Sequence, residues 1–287
     1  MKATMTLFLT LVLAAATAAR ADSTSLTKVW EADGFKAPES VAYDRANNVL
    51  YVSNINGSPV AKDGNGYISR ISVDGRVLTP QWVTGLNAPK GLDIANGKLY
   101  ISDIDTLVVV DIASGRIVKR YHSPDGRFFN DVAAGPDGAV YVSDTATQTI
   151  HRLKHGRFRV WLKDDRLNGP NGLLVQGRRL MVASTGPRGN PPPKAQLLAV
   201  SMADKSITSV TGGRPVGNLD GLEADGDKGW FVTDWPAGKL LHVSRTGTVS
   251  ELLSLERGNA DLEYIPSKQL IIIPCMLSGR LVAYRLR

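Results

Sequence analysis

Four oxygen-bearing side chains recur in one register along the chain: Glu39, Asn130, Asn171 and Asp220. Each is the third residue of a short opening turn that the sequence repeats six times. The copies read Ala37-Pro38-Glu39-Ser40-Val41, Ala88-Pro89-Lys90-Gly91-Leu92, Phe128-Phe129-Asn130-Asp131-Val132, Gly169-Pro170-Asn171-Gly172-Leu173, Asn218-Leu219-Asp220-Gly221-Leu222 and Gly258-Asn259-Ala260-Asp261-Leu262. A merely structural series would fill these slots with Ala, Gly or Val, and only Ala260 does so. Two carboxylates and two amide carbonyls are the donors that hard divalent cations such as Ca²⁺ accept. Three or four protein oxygens leave positions for water and substrate, as a catalytic ion requires. Lys90 puts a cation in the same series. At about 7 Å from a divalent ion it repels by about 5 kcal/mol at an effective dielectric of about 20. Glu39 and Asp220 attract the ion at least as strongly, so Lys90 either sits beside it and holds an acidic substrate group, or replaces it.

The elements that position these residues follow from the spacing. Successive register residues are separated by 51, 40, 41, 49 and 40 positions. A repeat of that length predicts small sheets that bury their faces against one another. Within the first repeat, strands are expected at 40–43, 49–53, 66–73 and 76–83, with turns at 45–48 and 74–75. β-Branched and aromatic residues alternate there between Gly, Asn and Asp punctuation. The prediction is an all-β, six-bladed propeller of four-stranded antiparallel blades, with the register residues at one end of the central channel. The last repeat supplies only three strands, so Ser25–Trp30 is expected to complete it and close the ring. Insertions at 55–65 and 185–195 account for the two longer intervals and are placed over the channel mouth. Trp235, just after a blade-five strand, is expected to wall that mouth. The strand-end acids Asp103, Asp144 and Asp234 recur too regularly for chemistry and are expected to cap loop amides.

Composition bounds the function classes. The chain has 287 residues, 43% hydrophobic and 21% charged, with a formal charge of +7. Its Lys and Arg are scattered, which argues against nucleic acid as a partner. One cysteine, Cys275, forbids an internal disulfide. There is no Cys/His zinc spacing, phosphate loop or Ser/His/Asp triad. His151, His155 and His242 fall away from the mouth, and His122 reads as a solvated loop residue. Residues 1–21 read as a signal peptide: Lys2, an uncharged apolar run over 5–18, then Ala19-Arg20-Ala21. Residues 22–287 are then expected to be the propeller, periplasmic or secreted and not retained in the membrane.

From Ala37 to Arg287 the sequence resembles the senescence-marker-protein/gluconolactonase family, which includes regucalcin and sugar lactonases. Pro38-Glu39-Ser40, Phe129-Asn130-Asp131, Gly169-Pro170-Asn171-Gly172 and Leu219-Asp220-Gly221 carry the resemblance. It implies that Glu39, Asn171 and Asp220 ligate a divalent ion, that Asn130 lies beside the ion or the substrate, and that Asp220 is the acid/base. The expected activity is hydrolysis of a lactone or related ester, with Asn130, Lys90 and Trp235 contacting the substrate and Ca²⁺ as the cofactor. Sugar-lactone members carry Arg two residues before the blade-three Asn, where this chain has Phe128. A non-catalytic propeller that uses the same mouth to hold a ligand or a protein is the alternative.

Overall fold

A computed structural model describes residues 25–287. They form six four-stranded antiparallel sheets arranged as the blades of a propeller. The inner strands are Pro38–Asp44, Pro89–Ala95, Phe129–Ala134, Pro170–Gln176, Leu219–Asp225 and Glu263–Ile265. In blade one the outer strands run to Ser72 and from Val77 to Leu86, so the fourth extends three residues past its expected end. The only helical pieces among the described residues are two single 3-10 turns, Asp165–Leu167 and Pro266–Lys268. None is long and apolar enough to cross a membrane. The signal peptide expected over 1–21 lies outside the described residues.

Closure follows the predicted route. Leu26–Ala32 pairs antiparallel with Arg280–Leu286, so the first strand becomes the outermost strand of the last blade. Each blade's apolar side chains pack against the next blade. Tyr51, Ile68, Leu99 and Ile101 form one such layer, and Tyr141, Leu180, Val182 and Leu198 another. Removing a leucine-sized side chain from water contributes about 1.5–3 kcal/mol. The stability of the ring therefore resides in the blade interfaces.

Two local devices shape the channel. In blades one to five, the inner strand carries a β-bulge at the register residue. Pro38 pairs with Asn54 and Val41 with Val52, so Glu39 and Ser40 together face Ser53. The same slip follows Pro89, Phe129, Pro170 and Leu219. A bulge interrupts strict alternation and re-aims a side chain. The N–H it displaces finds a buried hydroxyl on the second strand. Ser40 N donates to Ser53 Oγ (2.9 Å), Asp131 N to Ser143 Oγ (2.9 Å) and Gly221 N to Thr233 Oγ1 (2.8 Å).

The second device links neighbouring inner strands, which form no backbone ladder with each other. Leu92 N donates to Ser40 Oγ (3.2 Å), Ala134 N to Asp93 Oδ2 (2.6 Å), Leu173 N to Asp131 Oδ2 (2.6 Å) and Tyr43 N to Glu263 Oε2 (2.7 Å). Ser40 Oγ in turn donates to Asp261 Oδ2 (2.7 Å). Between blades four and five the backbones touch instead. A Cβ at Gly172 would lie 2.1 Å from Asp220 O, so only glycine fits there.

Candidate functional site at the channel mouth

The bulges bring the register residues to one end of the channel. Glu39, Lys90, Asn130, Asn171 and Asp220 all line a cavity of about 1150 Å³. Trp235 and Phe128 lie in its wall, as do Ile55 and Pro59 of the blade-one insertion and residues 185–192 and 194 of the blade-four insertion. Both insertions thus overhang the mouth as the spacing indicated. Ala260 lies outside this lining.

The five register side chains are buried, Lys90 most deeply at 1% exposure. Three oxygens among them have no hydrogen-bond partner: Glu39 Oε2, Asn130 Oδ1 and Asp220 Oδ1. A buried acceptor without a donor costs about 1–3 kcal/mol, so three on one ring mark a place for ordered water or a ligand. The orientation of Asn130 is enforced: its Nδ2 donates to Thr145 Oγ1 (3.2 Å), and Thr145 Oγ1 donates to Pro170 O (2.7 Å). That leaves the amide oxygen, an acceptor only, without a partner. All three atoms are hard oxygen donors, the kind a divalent cation such as Ca²⁺ takes. Among the described residues no group of three or more His, Cys, Asp or Glu has metal-holding geometry. The mouth differs in mixing two carboxylates with two amides.

The electrostatics are those of crowded acids. Burial, then the Asp220 and Asp261 carboxylates, push the Glu39 carboxyl well above its usual range, and Lys90 pulls it back. Burial and Asp261 push Asp220 up in the same way, while the Asn171 amide opposes them. A cation at the ring would relieve both. The Lys90 amine is lowered by burial to about 8, with Glu39 and Asp103 opposing. Its Nζ donates to Ala88 O (3.1 Å) and lies 4.6 Å from the centre of the Phe128 ring. Phe128 thus serves as a platform for the ammonium, a cation–π arrangement.

The strand-end acids hold loops, as expected. Asp103 accepts from Asn87 N and Ala88 N, Asp144 from Arg127 N and Phe128 N, and Asp234 from Ala237 N. His122 is outside the cavity lining, with Nδ1 3.6 Å from Asp105 Oδ1. His151 packs against Phe129 and Phe158. Two mouth residues were missed from the sequence. Thr145 fixes Asn130, and Asn218 ties down the blade-four insertion by donating Nδ2 to Thr185 O and Pro193 O, both at 2.7 Å. Asn218 stands two residues before Asp220, and that proximity was the available signal.

The family model described as SMP-30/Gluconolactonase/LRE-like region matches residues 37–259. No curated protein sequence matches the chain. Among solved structures, a gluconolactonase from Xanthomonas campestris superposes with a TM-score of 0.71 at 18% identity, over 95% of this chain and 93% of that one. A putative gluconolactonase gives 0.66 at 15% identity, covering 93% of each chain. Virginiamycin B lyase from Staphylococcus aureus gives 0.62 at 14% identity, over 92% of this chain and all of the other. At these identities the superpositions establish the fold.

Proposed function

The chain belongs to the SMP-30/gluconolactonase/LRE-like family, and on that premise we propose that it is a divalent-metal-dependent hydrolase of lactones or related esters. The observation that carries this reading is that three unpartnered buried oxygens, Glu39 Oε2, Asn130 Oδ1 and Asp220 Oδ1, belong to residues lining one mouth. Glu39, Asn130, Asn171 and Asp220 would hold the ion, with Ca²⁺ the best match to an all-oxygen set. When bound, a divalent cation supplies Lewis-acid polarisation of the scissile carbonyl. Asp220 takes a proton from the attacking water and returns it to the leaving alkoxide, so lactone and water give the hydroxy acid. Burial raises its carboxyl and an ion held beside it would lower it again, so the two together set its basicity. Asn130, held by Thr145, orients the substrate, and Trp235 and Phe128 give it an apolar wall. We place the reaction in the periplasm or outside the cell on the strength of the leader read from Lys2, the apolar run and Ala19-Arg20-Ala21.

The test is turnover of a lactone and ester panel by the wild type, Asp220→Asn and Glu39→Gln. Asp220→Asn is expected to abolish turnover at any ion concentration. Glu39→Gln should lose activity at low Ca²⁺ and regain part of it at high Ca²⁺. No turnover by the wild type with any panel member, together with ligand binding at the mouth, would favour the non-catalytic propeller.

A further inference from the structure

The charges around this mouth are unequally compensated. Four cations line it, Lys90 within and Arg188, Lys194 and Arg257 on exposed loops, against three acids, Glu39, Asp220 and Asp234. Glu39 and Asp220 carry the unpartnered oxygens that suit an ion, and Asp234 is turned to the amide of Ala237. Among the described residues no ion pair includes Lys90, Arg188, Lys194 or Arg257. Two of the four rest on aromatic rings instead, Lys90 on Phe128 (4.6 Å) and Arg257 on Trp235 (5.0 Å). A cation on a ring face is positioned and partly desolvated, yet its charge is not neutralised. Lys90 belongs to blade two and Trp235 to blade five, so these pairs stand on opposite sides of a six-fold ring. Of the three N–H donors on Lys90, only one has an acceptor, Ala88 O.

We infer that the substrate of this mouth is an organic acid, a lactone or ester that also bears a carboxylate, which Lys90 selects and the rim cations Arg188, Lys194 and Arg257 draw in. The inference rests on the reading of this cavity as the substrate site. With a divalent ion on Glu39 and Asp220, the inner ring carries one net positive charge, supplied by Lys90, and a monoanion balances it. The apolar wall of Ile55, Pro59, Phe128 and Trp235 accepts the uncharged remainder of the molecule. Steering by exposed cations is screened over about 8–10 Å at physiological salt, whereas the buried Lys90 contact is screened much less. The two contributions therefore separate by ionic strength.

The probes are 5-oxotetrahydrofuran-2-carboxylate, a γ-lactone with a carboxylate, and its neutral carboxamide. Turnover of both is measured with Ca²⁺ present, and binding of both to the Asp220→Asn protein is followed by calorimetry. The carboxylate is expected to be preferred roughly ten- to hundredfold in kcat/KM, the worth of one charge-assisted contact. Lys90→Met should remove most of that preference, chiefly through KM. Because Lys90 is buried, a second variant on exposed side chains, Lys194→Gln/Arg257→Gln, keeps the test decisive if Lys90→Met fails to fold. It should retain the preference at high salt and lose the part of it that grows as salt is lowered. Equal turnover of the two lactones would overturn the inference and leave the hydrolase reading intact. Preferential binding of the carboxylate with no turnover of either would sustain the inference and defeat the hydrolase. Equal or absent binding of both, or an unchanged preference in folded Lys90→Met, would overturn it outright, and a salt slope unchanged in the double variant would overturn the part assigned to the rim cations.

Discussion

Glu263 gives the most quantitative handle on what holds the ring together. Its Oε2 accepts from Tyr43 N (2.7 Å), joining the last blade to the first at the far end of the channel. Burial lifts its carboxyl to about 8, Asp93 and Asp261 add to the effect, and the Tyr43 amide opposes it. Asp93 and Asp261, raised to about 6 and about 7, titrate in the same channel, and Glu223 is raised as well. A carboxyl whose folded pKa lies above its unfolded value contributes stability that is complete below the unfolded pKa. That contribution is lost as pH rises through the folded pKa. The window here runs from about 4.5 to about 8. At 1.36 kcal/mol per pH unit the whole window corresponds to about 5 kcal/mol. The neighbouring acids share these protons and the channel end admits water, so about 2 kcal/mol falls to Glu263 itself. Glu263→Gln keeps an oxygen for Tyr43 N and discards the charge. At about 2–4 °C per kcal/mol, the variant should melt roughly 6 °C above the wild type at pH 9 and nearly level with it at pH 5. Thermal melts by circular dichroism across that range decide the matter. Parallel pH profiles for the two proteins, or a variant that is weaker at pH 9, would refute the reasoning.

Three further outcomes follow from the fold. Ser143→Ala leaves the buried Asp131 N–H of the blade-three bulge without its acceptor, costing about 1–3 kcal/mol, and calorimetry should show a Tm roughly 5 °C lower; an unchanged Tm would mean the hydroxyl does not hold the bulge. Deleting residues 25–32 bares the edge of Arg280–Leu286, so the truncated protein should aggregate or lose its cooperative melt in light scattering and calorimetry, and an intact transition would mean that the ring closes without that strand. Intact mass of the protein isolated from its native host should show a chain beginning at Asp22, and a retained Lys2 would sink the export reading.

Much of this architecture was legible because the repeat exposes it. Register residues at 40–51-residue intervals gave the blade count, the closing strand and the end of the channel where Glu39, Asn130, Asn171 and Asp220 meet. The bulges were not legible, since a two-against-one pairing leaves no mark in hydrophobic alternation. Their trace is the hydroxyl of Ser53, Ser143 and Thr233, which looked like ordinary strand composition and turned out to accept the displaced amide. The channel acids Asp93, Asp131, Asp261 and Glu263 were passed over for a related reason. Their bonds run from blade to blade, across 220 positions between Glu263 and Tyr43, and no local pattern signals such a partner. Lys90 was recognised as a cation in the ring. Its platform is not visible in the sequence, because the family motif marks Phe128 only as the place of a missing arginine.

The central claim is that the oxygens of Glu39, Asn130, Asn171 and Asp220 hold a divalent cation beside Lys90. Titration of Ca²⁺ into chelator-treated protein, followed by isothermal calorimetry, tests it without reference to turnover. The account predicts one ion per chain in the wild type, weaker binding in Glu39→Gln and Asp220→Asn, and tighter binding in Lys90→Met, where the repelling charge is gone and both carboxylates remain. Absence of binding at millimolar Ca²⁺ in both the wild type and Lys90→Met would contradict it.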